Sequence, residues 1–286
     1  MTTHPSKQKP PKNASLVSII IPTFNSEKTL ENCLKSIRNQ SYKDIELIVV
    51  DAFSQDKTRE IAEKYSAKVF LLAAERSPAR NFGAEQAMGE FLCFVDSDME
   101  LPSKTIGECA KLCKQKNVDA VIIPEEAVGD NFLAKCRKLE KTMRRQEAYG
   151  EAPRFIRKEK FESVGGYSEN LVIGEDFELT QRLRNFGSVI GRCKATIKHH
   201  EGNVSIKKLV MKLYYYGKTL PAYIKKEPVL ALKTSSPIRF IKNLHLLKRQ
   251  PLYFVGLCGL KLFEYAAYLT GAFAAVFFSN KTGTRR

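Results

Sequence analysis

From residue 16 onward, short runs of β-branched and aliphatic residues alternate with longer stretches whose apolar positions recur every three or four residues. That alternation is the pattern of βαβ units feeding a mostly parallel sheet. It predicts strands over 17–22, 45–51, 67–72, 91–96 and 120–124, and helices over 27–39, 55–65, 78–88 and 104–116. Right-handed crossovers then bring the carboxyl ends of the strands to one edge, where open α/β sheets bind their ligands. Past residue 125 the rhythm changes to a charged helix over 132–148, a short strand over 154–157, a Gly165-Gly166 turn, a helix over 175–185 and a strand over 195–198.

The last third is patterned differently. Residues 252–278 are mostly apolar and, as one helix, would cross the roughly 30 Å of a bilayer's hydrocarbon. Lys261 and Glu264 interrupt the run, three residues apart and able to pair on one helical face. A transmembrane helix, a helical hairpin dipping into one leaflet and a soluble core helix all fit this composition. The preceding stretch, 203–250, mixes tyrosines with eleven Lys or Arg residues against one acid, Glu227. Such composition suits helices lying in a headgroup region, or an ordinary solvated surface. The organisation expected is a polar, disordered tail at 1–15 without a secretory apolar segment, a catalytic domain at 16–202, basic and aromatic interfacial helices at 203–250, and an apolar membrane segment and tail at 251–286.

Charge sharpens this picture. The chain has 286 residues and a formal net charge of +16, which points to a polyanionic partner. Because the surplus sits just ahead of the apolar run, it favours a membrane surface over nucleic acid, for which no recognition helix is evident. If positive residues mark the cytoplasmic side, the catalytic domain faces the cytosol. The seven cysteines are odd in number and lie mostly in apolar segments, as expected for reduced thiols in a cytosolic compartment, and no paired Cys or His set completes a zinc site.

Two acidic groups are candidates for chemistry. Asp96-Ser97-Asp98 follows an apolar strand, and two carboxylates so close repel each other unless a cation lies between them. Mg²⁺ or Mn²⁺ would supply that charge and could hold a substrate diphosphate, although bare D-x-D triplets are common in loops. Gly174-Glu175-Asp176-Phe177-Glu178 opens a helix, where acids complement the macrodipole; the alternative is that Asp176 serves as a general base.

Taken in order, Val17-Ser18-Ile19-Ile20-Ile21-Pro22-Thr23-Phe24-Asn25, Ile48-Val49-Val50-Asp51, Ser77-Pro78-Ala79-Arg80-Asn81-x-Gly83, Asp96-Ser97-Asp98 and Gly174-Glu175-Asp176 resemble the family-2 glycosyltransferases of the GT-A fold, a Rossmann-like α/β sheet flanked by helices. The resemblance implies that Pro22, Thr23 and Phe24 line a nucleoside pocket, that Asp51 contacts base or ribose, and that Arg80 lies near the diphosphate. It implies that Asp96 and Asp98 bind the nucleotide and its metal, Mn²⁺ or Mg²⁺, with Asp98 the more direct ligand. Glu175 belongs to the substrate-binding motif, and Asp176 becomes the base of an inverting transfer from a nucleotide-sugar donor. His199 and His200, after the strand at 195–198, resemble a third metal or diphosphate contact of several GT-A enzymes, the other reading being a surface pair. Tyr216-Gly217-Lys218 resembles an element that follows the catalytic domain in membrane-associated members, of no evident role.

Two departures bear on substrate. Asp51-Ala52-Phe53-Ser54 carries one acid where many relatives have two, which leaves the nucleobase open. No Q-x-x-R-W motif of processive synthases is present, so transfer of one sugar is expected. The acceptor expected is lipid-linked or a membrane-proximal saccharide; a soluble acceptor, or a non-catalytic membrane scaffold with the same fold, are the competing readings.

Overall fold

The computed structural model describes residues 15–144, 151–200, 206–226, 228, 241 and 243–278. The expected tail at 1–14, the end of the helix expected over 132–148, and much of the interfacial segment at 203–250 lie outside the described residues.

The first half is the alternation the pattern predicts: β1 (Val17–Thr23), α1 (Leu30–Arg38), β2 (Ile45–Asp51), α2 (Thr58–Lys64), β3 (Lys68–Leu71), α3 (Arg76–Gln86), β4 (Phe91–Phe94), β5 (Met99–Glu100), α4 (Thr105–Gln115) and β6 (Ala120–Ile122). Then come β7 (Glu125–Val128), α5 (Phe132–Arg144), β8 (Pro153–Arg157), α6 (Lys158–Ser163), α7 (Glu175–Asn185), β9 (Ile190–Arg192), β10 (Ile197–His200), α8 (Ile206–Lys226), α9 (His245–Arg249) and α10 (Pro251–Phe278).

Seven strands form the main sheet in the order β3-β2-β1-β4-β8-β6-β9. β8 runs antiparallel to both its neighbours, and the remaining pairings are parallel. Strands buried on both faces read as continuous apolar runs, and β1 obeys this: its odd residues Val17, Ile19 and Ile21 enter one core, with α1, α2 and α4, while Ile20 enters the other, with α3, α6 and α7. A second sheet, β5-β10-β7, stands beside the end of β4. The strand expected over 120–124 ends at Ile122 as β6, the one expected over 195–198 forms two residues later as β10, and β5 and β7 are additional. Strands of two to four residues are too short to show a period.

The C-terminal run is a single helix, so the hairpin alternative is not formed. α10 packs against both α8 and α5. Two glycines make the first contact possible: a Cβ on Gly217 would collide with the Tyr268 carbonyl oxygen, and one on Gly271 with the Tyr214 carbonyl oxygen. Tyr216-Gly217-Lys218 thereby acquires a structural role, since only a residue without a side chain lets the two backbones meet. Lys261 and Glu264 do pair, and both turn inward. Lys261 Nζ lies 2.8 Å from Glu140 Oε1, and Arg137 Nη1 donates to Glu264 Oε1 at 2.9 Å. The charges that break the apolar run thus dock α10 on α5.

None of the seven cysteines is paired, and six are buried.

Candidate active site

The site is built around an arginine in the core. Gly83 lets α3 lie against β1, since a Cβ there would stand 2.5 Å from Ile20 Cγ2. One turn earlier, Arg80 points toward the end of β4 with 1% of its surface exposed. Its Nη2 donates to Asp96 Oδ1 at 2.7 Å, and Nη1 donates to Asp176 Oδ1 at 3.2 Å and lies 3.5 Å from Glu175 Oε1. Burying a guanidinium is costly without partners, and these acids are the partners. Next to Arg80, the Asn81 amide donates to the Tyr167 carbonyl at 2.9 Å and accepts the Tyr167 N–H at 2.8 Å. The loop leading to α7 is therefore pinned to α3, which aligns Asp176 with Arg80.

Asp96 is doubly held, because Arg154 Nη2 on β8 donates to Asp96 Oδ2 at 3.2 Å. Burial opposes its charge, but Arg80 and then Arg154 overcome this and hold the carboxyl well below the usual range. With each oxygen engaged by a guanidinium, Asp96 is held as an anion on the cleft wall. Arg154 also donates through Nε to Glu125 Oε1 at 2.5 Å. Arg154 and Glu125 were not singled out in the sequence; the available signal was an arginine directly ahead of the apolar pair Phe155-Ile156 in the strand Pro153–Arg157.

Asp98 is different. Partly exposed, it lines the cleft with Oδ1 3.2 Å from His199 Nε2. β10 delivers His199, and the His200 N–H donates to the Asp98 carbonyl at 2.8 Å, which fixes their register. His199 Nδ1 lies 2.9 Å from Glu125 Oε2. Burial disfavours the imidazolium, yet Asp98 and Glu125 outweigh it and raise His199 to about 9. His200 does not line the cleft: its Nε2 stands 3.0 Å from Glu100 Oε1. Among the described residues no group of three or more His, Cys, Asp or Glu could hold a metal by itself. Asp98 and His199 nevertheless place a carboxylate oxygen and an imidazole nitrogen side by side, and the nitrogen becomes a metal donor once a cation displaces its proton.

The cleft between these groups and the ends of β1 and β2 has a volume of about 820 Å³. Pro22, Thr23 and Phe24 line it, with the Phe24 ring 63% exposed. Asp51 departs from expectation. Fully buried, it accepts hydrogen bonds from Thr23 Oγ1 at 2.8 Å, the Ser54 N–H at 2.8 Å and Ser54 Oγ at 2.5 Å. Its lone pairs tie together the loops after β1 and β2, and it does not face the cleft.

On α7, Gly174 adopts φ 72° and lies under the Tyr223 ring of α8, leaving no room for a Cβ. Glu175 is buried against Arg80 and Arg76; burial, then the Asp176 charge, raise it to about 7. Glu178, the third acid of the cluster, is fully buried and holds Arg182 and Lys226. Only Asp176 remains open to solvent, with 32% of its side chain exposed.

α8 also reaches the cleft: Leu209 and Lys212 line it, and Tyr216 accepts a hydrogen bond from Arg76 Nη2 at 3.1 Å.

The glycosyl transferase family 2 model matches residues 18–163. The poly(ribitol-phosphate) beta-N-acetylglucosaminyltransferase TarS of Staphylococcus aureus is 34% identical over 121 residues, 39% of this chain and 21% of that protein. The GalNAc(5)-diNAcBac-PP-undecaprenol beta-1,3-glucosyltransferase of Campylobacter jejuni is 40% identical over 95 residues, 30% of this chain and 31% of that one. Each match thus covers less than a third of the relative's length. Among solved structures, the mannosyltransferase PcManGT of Pyrobaculum calidifontis, in complex with GDP-Man and Mn²⁺, superposes with a TM-score of 0.62 at 17% identity, over 95% of this chain and 90% of that chain, which bears on the fold alone. With the matched region running from β1 through α6 and carrying Phe24, Arg80, Asp96 and Asp98, the chain belongs to glycosyl transferase family 2.

Proposed function

We propose that the protein is an inverting glycosyltransferase that moves one sugar from a nucleoside-diphosphate donor to a saccharide acceptor held at a membrane. The observation that carries this reading is the span of Arg80, which joins Asp96 on the donor cleft to Asp176 at the opening of α7. A base and a leaving-group site are thereby fixed relative to each other before substrate arrives.

In the reaction, an acceptor hydroxyl loses its proton to Asp176 as its oxygen bonds to the anomeric carbon. The bond from that carbon to the diphosphate oxygen breaks, and its electron pair leaves with the nucleoside diphosphate. Phe24 stacks on the nucleobase, and Pro22 and Thr23 shape its pocket. Asp98 and His199 would hold a divalent ion, whose charge favours departure of the diphosphate. No protein nucleophile is required, and one displacement inverts the anomeric centre. PcManGT, which shares the fold, is by its description in complex with GDP-Man and Mn²⁺, the donor class and one of the metals proposed here.

The membrane part of the reading rests on α10. Its length and composition suffice to cross a bilayer, and it exposes Leu252, Val255, Leu262, Leu269, Phe273 and Val276 while its charges face α5. The exposed Lys207, Lys218 and Lys225 of α8 and the basic end of α9 would lie toward anionic headgroups on the cytoplasmic face. An acceptor linked to undecaprenol, named for the Campylobacter relative, is consistent with such a position.

The test is a screen of UDP-, GDP- and dTDP-sugars with Mn²⁺ or Mg²⁺, with Asp176→Asn in parallel. One donor turning over only with metal, and bound but not transferred by Asp176→Asn, is the expected result. Failure of every donor to bind would remove the reading.

A further inference from the structure

One side of α10 is covered by protein over most of its length. Phe254, Leu257, Leu260, Glu264, Ala267 and Gly271 recur at helical spacing and all are buried. The first three enter a core with Cys136, Leu139 and Met143 of α5, and Gly271 meets the Tyr214 carbonyl of α8. From 254 to 271 a helix rises about 25 Å, so α10 keeps the catalytic domain beside it for nearly the thickness of a bilayer's hydrocarbon. On the opposite side Leu252, Val255, Leu262, Leu269, Phe273 and Val276 are exposed.

A helix that crosses a bilayer in this setting must take its neighbours with it. Arg137 and Glu140 of α5 hold Glu264 and Lys261 near the midpoint of α10. A centred span would therefore carry α5 to the bilayer midplane, together with its exposed Lys135 and Lys138 and with Glu126 of β7, 2.5 Å from Lys138. Charged side chains at that depth are strongly disfavoured. Shifting the span toward the end of the helix does not help. The stretch after Glu264 rises roughly 20 Å, short of the about 30 Å of hydrocarbon, and α8 brings the exposed Lys218 alongside it, next to Gly217.

Charge at the flanks agrees. Lys248 and Arg249 close α9 just before α10, and Lys281, Arg285 and Arg286 follow α10 in the sequence. Basic residues mark the cytoplasmic side of a membrane segment, and here they stand at both ends.

We infer that α10 does not cross the bilayer but lies in the plane of one leaflet, along the catalytic domain, with its outer stripe among the acyl chains and both of its ends on the side of the donor cleft. This rests on the membrane seat proposed above and fixes its form. The partner is the surface of an anionic leaflet, whose chains receive the stripe and whose headgroups receive the lysines of α8 and the basic flanks of α10.

The chain contains no tryptophan, so one introduced on α10 reports alone. The experiment places the full chain, carrying Val255→Trp, Leu262→Trp or Phe273→Trp, on vesicles of phosphatidylcholine and phosphatidylglycerol brominated at a shallow or a deep acyl position. An in-plane helix sits about 5–10 Å into the boundary between headgroups and chains, so shallow bromines should quench all three more than deep ones, with ratios within about twofold of one another. Quenching of Leu262→Trp mainly by deep bromines, with the other two quenched by shallow ones, is the mark of a crossing helix and overturns the inference. Vesicle binding without quenching at any of the three positions also overturns it, because the chain itself then covers the stripe. A second readout needs no substitution: a C-terminal epitope on the full chain, in sealed membrane vesicles of a bacterial host turned cytoplasmic face outward. Proteinase K should remove the epitope together with the catalytic domain, and survival of the epitope until detergent is added overturns the inference. Failure of the full chain to float with vesicles, neutral or anionic, is the separate outcome that removes the membrane seat and leaves the transferase reading to the donor screen.

Discussion

Arg80 and Asp96, sixteen residues apart in sequence, meet at 2.7 Å in the core of the site, the arginine fully buried. Because the same guanidinium holds Asp176, loss of its charge leaves several acids unpaired at once. Breaking a buried pair on one side costs about 3–5 kcal/mol, so Arg80→Met should lower the free energy of unfolding in urea by about that amount. Arg80→Lys, which keeps the charge without the fork, should lose less.

Phe24 presents an exposed ring to the cleft. Stacking of a base on an aromatic side chain is worth about 1–3 kcal/mol, so Phe24→Ala should weaken nucleoside diphosphate binding roughly ten- to hundredfold, measured calorimetrically. An exposed ring contributes little to the core, and the unfolding midpoint should stay near wild type.

Asp98 and His199 should share the metal. His199→Ala is expected to raise the Mn²⁺ concentration for half-maximal transfer by about 10-fold or more, within the range seen for weakened metal sites. His200→Ala, whose imidazole faces Glu100, should leave the Mn²⁺ dependence unchanged.

Glu175 gives a pH signature. Its carboxyl is raised from 4.5 to about 7 by burial and by Asp176. Between those values the folded protein binds more protons than the unfolded chain, so this group's contribution falls as pH rises from 4.5 toward 7. Glu175→Gln should therefore gain stability relative to wild type on going from pH 5 to pH 8, on the order of 1–3 kcal/mol in paired denaturation curves.

The sheet and its flanking helices were readable because doubly covered strands must be apolar throughout and their helices must carry one apolar face. Their boundaries shifted by up to three residues, as with α1, expected from residue 27 and formed from Leu30. The site was readable only as separate motifs. Nothing local reveals that Arg80 and Asp176, 96 residues apart, share a hydrogen bond, or that Arg154 completes the cage around Asp96. Asp51 has a role in the fold that its motif did not reveal. Its residue type and place fitted a ligand contact, whereas Thr23 and Ser54 consume its oxygens. Gly217 was visible in the sequence but unexplained, because its partner Gly271 lies on another helix.

The contact at Gly217 and Gly271 can be tested against a neighbour. Gly217→Val should destabilise the α8–α10 pair by about 1–3 kcal/mol, the usual range for overpacking, with faster hydrogen exchange in both helices. Gly259→Ala, with open space around it, is the matched control.

That same contact has a mechanical consequence. With no side chain between the backbones, α8 and α10 meet directly at Gly217 and Gly271. At its other places α8 carries Lys212 into the donor cleft and Tyr223 onto Gly174, one residue before α7 begins. The seating of the apolar helix is thereby tied, backbone to backbone, to the residues of α8 that border the cleft and to the glycine that opens α7.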